Sequence, residues 1–128
     1  MPHLKIEYSA NLDAETDIGA LCKSLAQTLL ALKDKREQPI FPFNGTRVLA
    51  YPAPHYAVAD GADNRAFVYL NLRITSGRSQ ERLQAVGDAL LAQTKAHFAQ
   101  LLASRQLRIT LHIDEGQPVY EGKAGSTV

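Results

Sequence analysis

Three positions in this sequence carry groups whose type and placing could do chemistry: Pro2, Arg47 and Arg78. Pro2 follows the start methionine, so removal of Met1 would leave a secondary amine at the head of the chain. Burial disfavours the charged form of such an amine, and a neighbouring guanidinium repels it, so both lower its pKa. An amine kept neutral in this way can take a proton from a hydroxyl or carbon and return it elsewhere. Taken alone, a proline in second place fits better a protein that makes no chemical use of it. Arg78 stands in Ser76-Gly77-Arg78-Ser79, between the end of a strand pattern and the start of a helical one. Free backbone N–H groups at a helix start favour an anion, and a guanidinium can grip a carboxylate through two parallel hydrogen bonds. The plainer reading is a surface arginine solvating a turn. Arg47 follows the Asn44-Gly45 turn and opens a short strand, where an exposed edge charge is the ordinary expectation.

The other reactive residue types form no constellation. His3, His55, His97 and His112 lack the close spacing of zinc ligands, and His97 falls at the margin of a helical stripe. Ser9, Ser76 and Ser79 have no GxSxG context, and neither a dinucleotide fingerprint nor a phosphate-binding loop motif is present. Cys22 lies within an apolar stripe with nothing beside it to activate a thiol, and reads as a small buried hydrophobe. A lone cysteine makes no internal disulfide, which points to a reducing cytosol. A formal net charge of +1, no tryptophan and scattered lysines and arginines leave no footprint for nucleic acid. No run reaches the roughly 18 to 20 apolar residues of a membrane span, and the opening residues lack the pattern of a signal peptide. The expectation is a soluble cytoplasmic protein with no nucleic-acid or membrane partner and no metal.

Strands and helices must position these groups. His3-Leu4-Lys5-Ile6-Glu7-Tyr8-Ser9 alternates, with Leu4, Ile6 and Tyr8 on one side, which predicts a half-buried strand tying down the chain start. A turn over Ala10–Asp13 leads to a helix capped by Asp13 or Thr16. Its stripe of Ile18, Leu21, Cys22, Leu25, Leu29 and Leu32 runs to about Lys35. Thr46–Tyr51 predicts a short strand that Pro52 and Pro54 end or confine to an edge, and His55–Val58 a further one. Ala66–Ile74 is the clearest strand, with Val68, Leu70, Leu72 and Ile74 inward and Phe67, Tyr69, Asn71 and Arg73 outward. Ser79 caps a second helix whose stripe runs from Leu83 through Val86, Leu90, Thr94 and His97 to Leu101. Leu107–Asp114 alternates as a last strand. With 128 residues, 45% of them hydrophobic and 21% charged, the chain reads as one domain over 1–128. Its core spans 2–114, and the tail over 115–128 is loosely held apart from a possible edge strand at Val119-Tyr120. The order strand–helix–strand, repeated, predicts an α+β fold with two helices on one face of a four-stranded sheet. The other face, carrying aromatic and charged residues, invites an oligomer to cover it.

Several stretches together resemble the 5-carboxymethyl-2-hydroxymuconate isomerase family of the tautomerase superfamily. They are Met-Pro-His-Leu-Lys-Ile-Glu at 1–7, Phe-Pro-Phe-Asn-Gly-Thr-Arg at 41–47, Ala-Asp-Gly at 59–61, Ala-Phe-Val-Tyr-Leu at 66–70, Gly-Arg-Ser at 77–79 and His-Phe at 97–98. The resemblance implies a trimer of duplicated βαβ units and an amino-terminal proline, here Pro2, as the proton shuttle. It also implies substrate-binding arginines at Arg47 and Arg78, and no cofactor. The expected substrate is a small unsaturated di- or tricarboxylate of the 2-hydroxymuconate type, converted to its 2-oxo isomer in homoprotocatechuate breakdown. Phe67 or Tyr69 would wall the pocket. One departure stands out: the connection from Lys33 to Ile40 is longer than the family pattern, which would reshape the pocket near Arg47. Two other functions fit the residues. One is a promiscuous tautomerase of other 2-oxo acids, and the other a non-catalytic trimeric module that binds an anionic metabolite at 76–79.

Overall fold

A computed structural model describes residues 1–127. The four strands are β1 (His3–Ser9), β2 (Arg47–Ala53), β3 (Arg65–Ile74) and β4 (Gln106–Glu115). They form one sheet in the order β2-β1-β3-β4. β1 and β2 run parallel, as do β3 and β4, and the two pairs meet antiparallel at β1 and β3. Helix α1 (Ile18–Ala31) joins the first pair. Helix α2 (Gln80–His97) and the short α3 (Ala99–Ser104) join the second. The period-two reading of the inner strands holds: Leu4, Ile6 and Tyr8 on β1, and Val68, Leu70, Leu72 and Ile74 on β3, are all buried. Leu21, Leu25 and Leu29 of α1 and Val86 and Leu90 of α2 close over them. Burying each such side chain fully contributes about 1.5 to 3 kcal/mol. The chain start is therefore held as firmly as the core itself.

The expected boundaries shift where side chains have other partners. Of the two candidate caps, Asp13 Oδ1 accepts the Tyr8 hydroxyl at 2.6 Å and Thr16 Oγ1 lies 2.9 Å from His97 Nε2. The cap is instead Asp17, which accepts the Ala20 N–H. α1 also stops at Ala31, short of Lys35, because the chain doubles back on itself. Asp34 Oδ1 accepts the N–H groups of Arg36 and Gln38, and Ile40 N–H reaches the Leu32 carbonyl. β2 runs through Pro52 to Ala53 rather than ending there. Arg47 points its N–H at β1 through the Pro2 carbonyl. The alternation of the ladder then places the missing N–H of Pro52 on the open edge, where it costs nothing.

The single long helix expected over 80–102 bends at Phe98, whose ring is buried, and continues as α3 over β4. Neither His55–Val58 nor Val119-Tyr120 is a strand; Val119 and Tyr120 lie in solvent. Ser79 caps α2 as expected, accepting the Arg82 N–H at 3.2 Å. Cys22 packs half-buried against the core, and burial pushes its thiol up. Among the described residues no helix is long and apolar enough to cross a membrane.

Candidate active site

Pro2 is buried at the head of β1, and its carbonyl accepts the Arg47 N–H at 3.4 Å. That bond and the pairing of His3 with Arg47 fix the start of β2 beside the start of β1. Met1 covers the spot, its thioether packed against Gly45. With Met1 attached, the Pro2 nitrogen is a tertiary amide. The free amine of the chain, on Met1, is held below its usual value of 8.0, first by burial and then by Arg78, with Lys123 and Arg47 adding to the effect and Glu121 opposing it. Both arginines singled out from the sequence therefore act on the amino terminus.

Their supports differ. Arg47 is exposed at the sheet edge. Arg78 is half-buried in the link between β3 and α2, where Gly77 adopts a positive φ of 118°. Its guanidinium donates to the Thr75 carbonyl at 3.0 Å and lies 5.1 Å from the centre of the Phe41 ring. A cation over a ring face is attracted by the ring quadrupole, so Phe41 and the Thr75 carbonyl together orient the group. Phe41 has a structural part that sequence reasoning passed over; the signal was its place at the head of Phe-Pro-Phe.

A cavity of about 210 Å³ opens here, lined by Met1, His3, Arg47, Arg73, Thr75 and Glu121 among others. Arg73 was read as an outward residue of its strand and no more. Only the pairing of His3 with both Arg47 and Arg73 shows that three adjacent strands bring these side chains into one row. The tail also takes part: Glu121 lines the cavity and is bridged to Lys123 at 3.3 Å. The 33–40 connection lies beside the start of α2, sharing a cavity of about 330 Å³ with Ser79 and Arg82.

Phe67 and Tyr69 are not part of this cavity. Tyr69 pairs with Glu7, five residues along β1 from Pro2, so roughly 17 Å separates them at the rise of an extended strand. Phe67 lies beyond it, its N–H on Ser9 Oγ. Tyr69 OH instead lies 2.9 Å from His112 Nδ1, with the two rings edge to face. No group of three or more His, Cys, Asp or Glu side chains among the described residues could hold a metal ion.

Fold and site together define a class: a small α+β protein that gathers cations around the buried first residues of its sheet. The family model for 5-carboxymethyl-2-hydroxymuconate isomerase matches residues 2–127. The 5-carboxymethyl-2-hydroxymuconate Delta-isomerase of Escherichia coli is 35% identical over 123 residues, covering 96% of this chain and 93% of that protein. A crystal structure of a 5-carboxymethyl-2-hydroxymuconate delta-isomerase superposes with a TM-score of 0.92 at 44% identity, over 98% of this chain and 89% of that one. A 5-carboxymethyl-2-hydroxymuconate isomerase from Deinococcus radiodurans R1 gives 0.84 at 39% identity, over 98% and 90%. The chain belongs to the 5-carboxymethyl-2-hydroxymuconate isomerase family.

Proposed function

We propose that this protein is a cofactor-independent cytoplasmic isomerase that moves a proton across a 2-hydroxymuconate-type dienol, giving the 2-oxo isomer. The observation that carries this reading is that the charges of Arg78 and, more weakly, Arg47 act on the amino terminus of a chain from this family. Removal of Met1 frees the Pro2 nitrogen as a secondary amine. Burial and the same cations favour its neutral form, in the sense in which they lower the pKa of the Met1 amine. Pro2 accepts the proton of the 2-hydroxyl as the oxygen becomes a carbonyl and the double bonds shift. It then returns that proton to the carbon at the far end of the conjugated system, so the reaction is proton-neutral and needs no cofactor. Arg78 and Arg47 hold carboxylates and stabilise the charge that develops on the 2-oxo oxygen.

The active form is a homotrimer of duplicated βαβ units with the outer sheet faces turned toward a central axis. It is supported by the bare face that carries Tyr51, Tyr69 and His112. In such an assembly a pocket wall from Phe67 or Tyr69 belongs to a neighbouring copy, because within one chain both lie too far from Pro2.

The test is turnover. Native protein should lack Met1 by intact mass and should ketonise 2-hydroxymuconate and its 5-carboxymethyl derivative, followed by loss of dienol absorbance. Protein that has lost Met1 and binds these compounds without converting them would overturn the reading in favour of an anion-binding module.

A further inference from the structure

The cavity at the amino terminus holds, beside Arg47, an arginine that the proposed proton transfer does not use. Arg47, His3 and Arg73 stand in one row across β2, β1 and β3 on the outer face of the sheet, paired residue to residue. Two strand spacings separate the flanking arginines, roughly 9.5 Å between their backbones. All three line the same cavity.

Arg73 is positioned and unpaired. Its guanidinium lies on Gly116, where an added Cβ would meet Nη2 at 2.9 Å and Cζ at 3.4 Å. Gly116 is itself fixed by its N–H on the Ile74 carbonyl at 3.1 Å. The acid next to Arg73 in the row is Asp114 on β4. That carboxylate turns to the following row instead and accepts the Asn71 amide at 2.7 Å. The acid of the tail, Glu121, is bridged to Lys123. Among the described residues Arg73 makes no ion pair. His3 adds a ring N–H donor beside it in either tautomer.

A muconate skeleton carries two carboxylates, and a carboxymethyl branch adds a third. We infer that Arg73, flanked by His3, is the anchor for the third carboxylate, making this site selective for tricarboxylates over dicarboxylates. This rests on the proposed function for the identity of the substrate. The anchor itself stands on the geometry of the row.

Two measurements separate the claims. In the first, Arg73→Leu is compared with the parent enzyme on 2-hydroxymuconate and on its 5-carboxymethyl derivative. The loss should fall on KM and be about tenfold larger for the tricarboxylate, the scale of one charged hydrogen bond at an open site. Arg73→Lys should restore most of it. Gly116→Ala, which displaces the guanidinium while keeping the charge, should shift KM in the same sense by a smaller factor. Equal losses on both substrates, or none, would overturn the inference. In the second, propane-1,2,3-tricarboxylate and glutarate are titrated calorimetrically into parent and Arg73→Leu protein, with no turnover required. Tighter binding of the tricarboxylate that disappears in the variant supports the anchor even if the isomerase reading fails. The absence of any preference in the parent defeats the anchor even if the isomerase reading stands.

Discussion

Two cavities of this molecule set size against charge. The larger, about 640 Å³, lies between α2 and the edge strand β4, lined by Leu83, Leu91, Ile109, Leu111 and Ile113. Its charged lining residues, Asp88, Asp114 and Glu115, are all acidic. The smaller, about 210 Å³, lies at the head of β1 and holds Arg47 and Arg73, with Arg78 close behind Thr75. A carboxylate substrate is repelled from the first and drawn to the second, so charge decides the matter and volume does not. The large groove exists because β4 is an edge with one layer of helix over it. The small one exists because the chain start, the start of β2 and the turn after β3 meet at the same end of the sheet.

The sharpest way to break this contrast is to remove the proposed base at the head of β1, beside the small cavity. Pro2→Ala replaces a ring-locked secondary amine by a primary one, and kcat should fall at least about a hundredfold, the usual scale for a general base. Far-UV circular dichroism should be unchanged, since the substitution is at the head of the strand. A rate within a few-fold of the parent would show that the amine does not carry the proton. Arg78→Ala should cost nearly as much, about a hundredfold in kcat/KM, if it stabilises the developing oxyanion. It carries a second signature with a definite sign. In the proposed mechanism activity requires the neutral amine, so kcat/KM should rise with pH through the amine's pKa. Arg78 lowers the amino-terminal pKa, and its loss should therefore move that limb to higher pH. A lower rate with an unmoved limb would leave Arg78 as a binding group only.

The control belongs in the large cavity. Leu83 is half-buried against the core and lines the groove. Leu83→Ala should reduce stability by about 1 to 2 kcal/mol, below the range for a fully buried leucine. The midpoint of urea unfolding should drop while kcat/KM stays within about twofold of the parent. If activity fell with Leu83 and survived the loss of Arg78, the two cavities would have exchanged roles.

The same contrast explains what could be read in the sequence. Strand and helix faces are local: Leu4, Ile6 and Tyr8, or Val68 to Ile74, announce themselves by spacing, and their burial follows. Pro2, Arg47 and Arg78 stand out by residue type and position, and the resemblance joins them into the proposed site. Arg73 does not, because a period of two gives its face but not its neighbours. That it shares a row with His3 and Arg47 follows from the strand order β2-β1-β3-β4, which no local pattern encodes. Phe67 and Tyr69 failed as walls of this cavity for the converse reason. They share a face with Arg73 but lie at the other end of it. Helix limits slipped wherever a capping side chain had a tertiary partner, as Asp13 has in Tyr8 and Thr16 has in His97.

That last contact gives the smallest and most local expectation, remote from both cavities. His97 closes α2 with its ring edge-on to Phe98 and Nε2 2.9 Å from Thr16 Oγ1, joining the end of α2 to the approach to α1. Burial lowers its pKa from 6.5, with Asp17 opposing. A histidine with a lower pKa folded than unfolded binds more protons when unfolded. Stability from this site is therefore full above about pH 6.5 and declines as pH falls through the range just below it. His97→Gln keeps a hydrogen-bonding group near Thr16 and cannot titrate. Melting temperatures measured from pH 5 to 7.5 should show a shallower acid-side decline in the variant, with kcat/KM at pH 7.5 unaffected. An equally steep decline in both would mean that His97 is not the titrating group. The acid sensitivity would then have to come from carboxylates such as Asp34 and Asp60, whose hydrogen bonds hold them below the ordinary range.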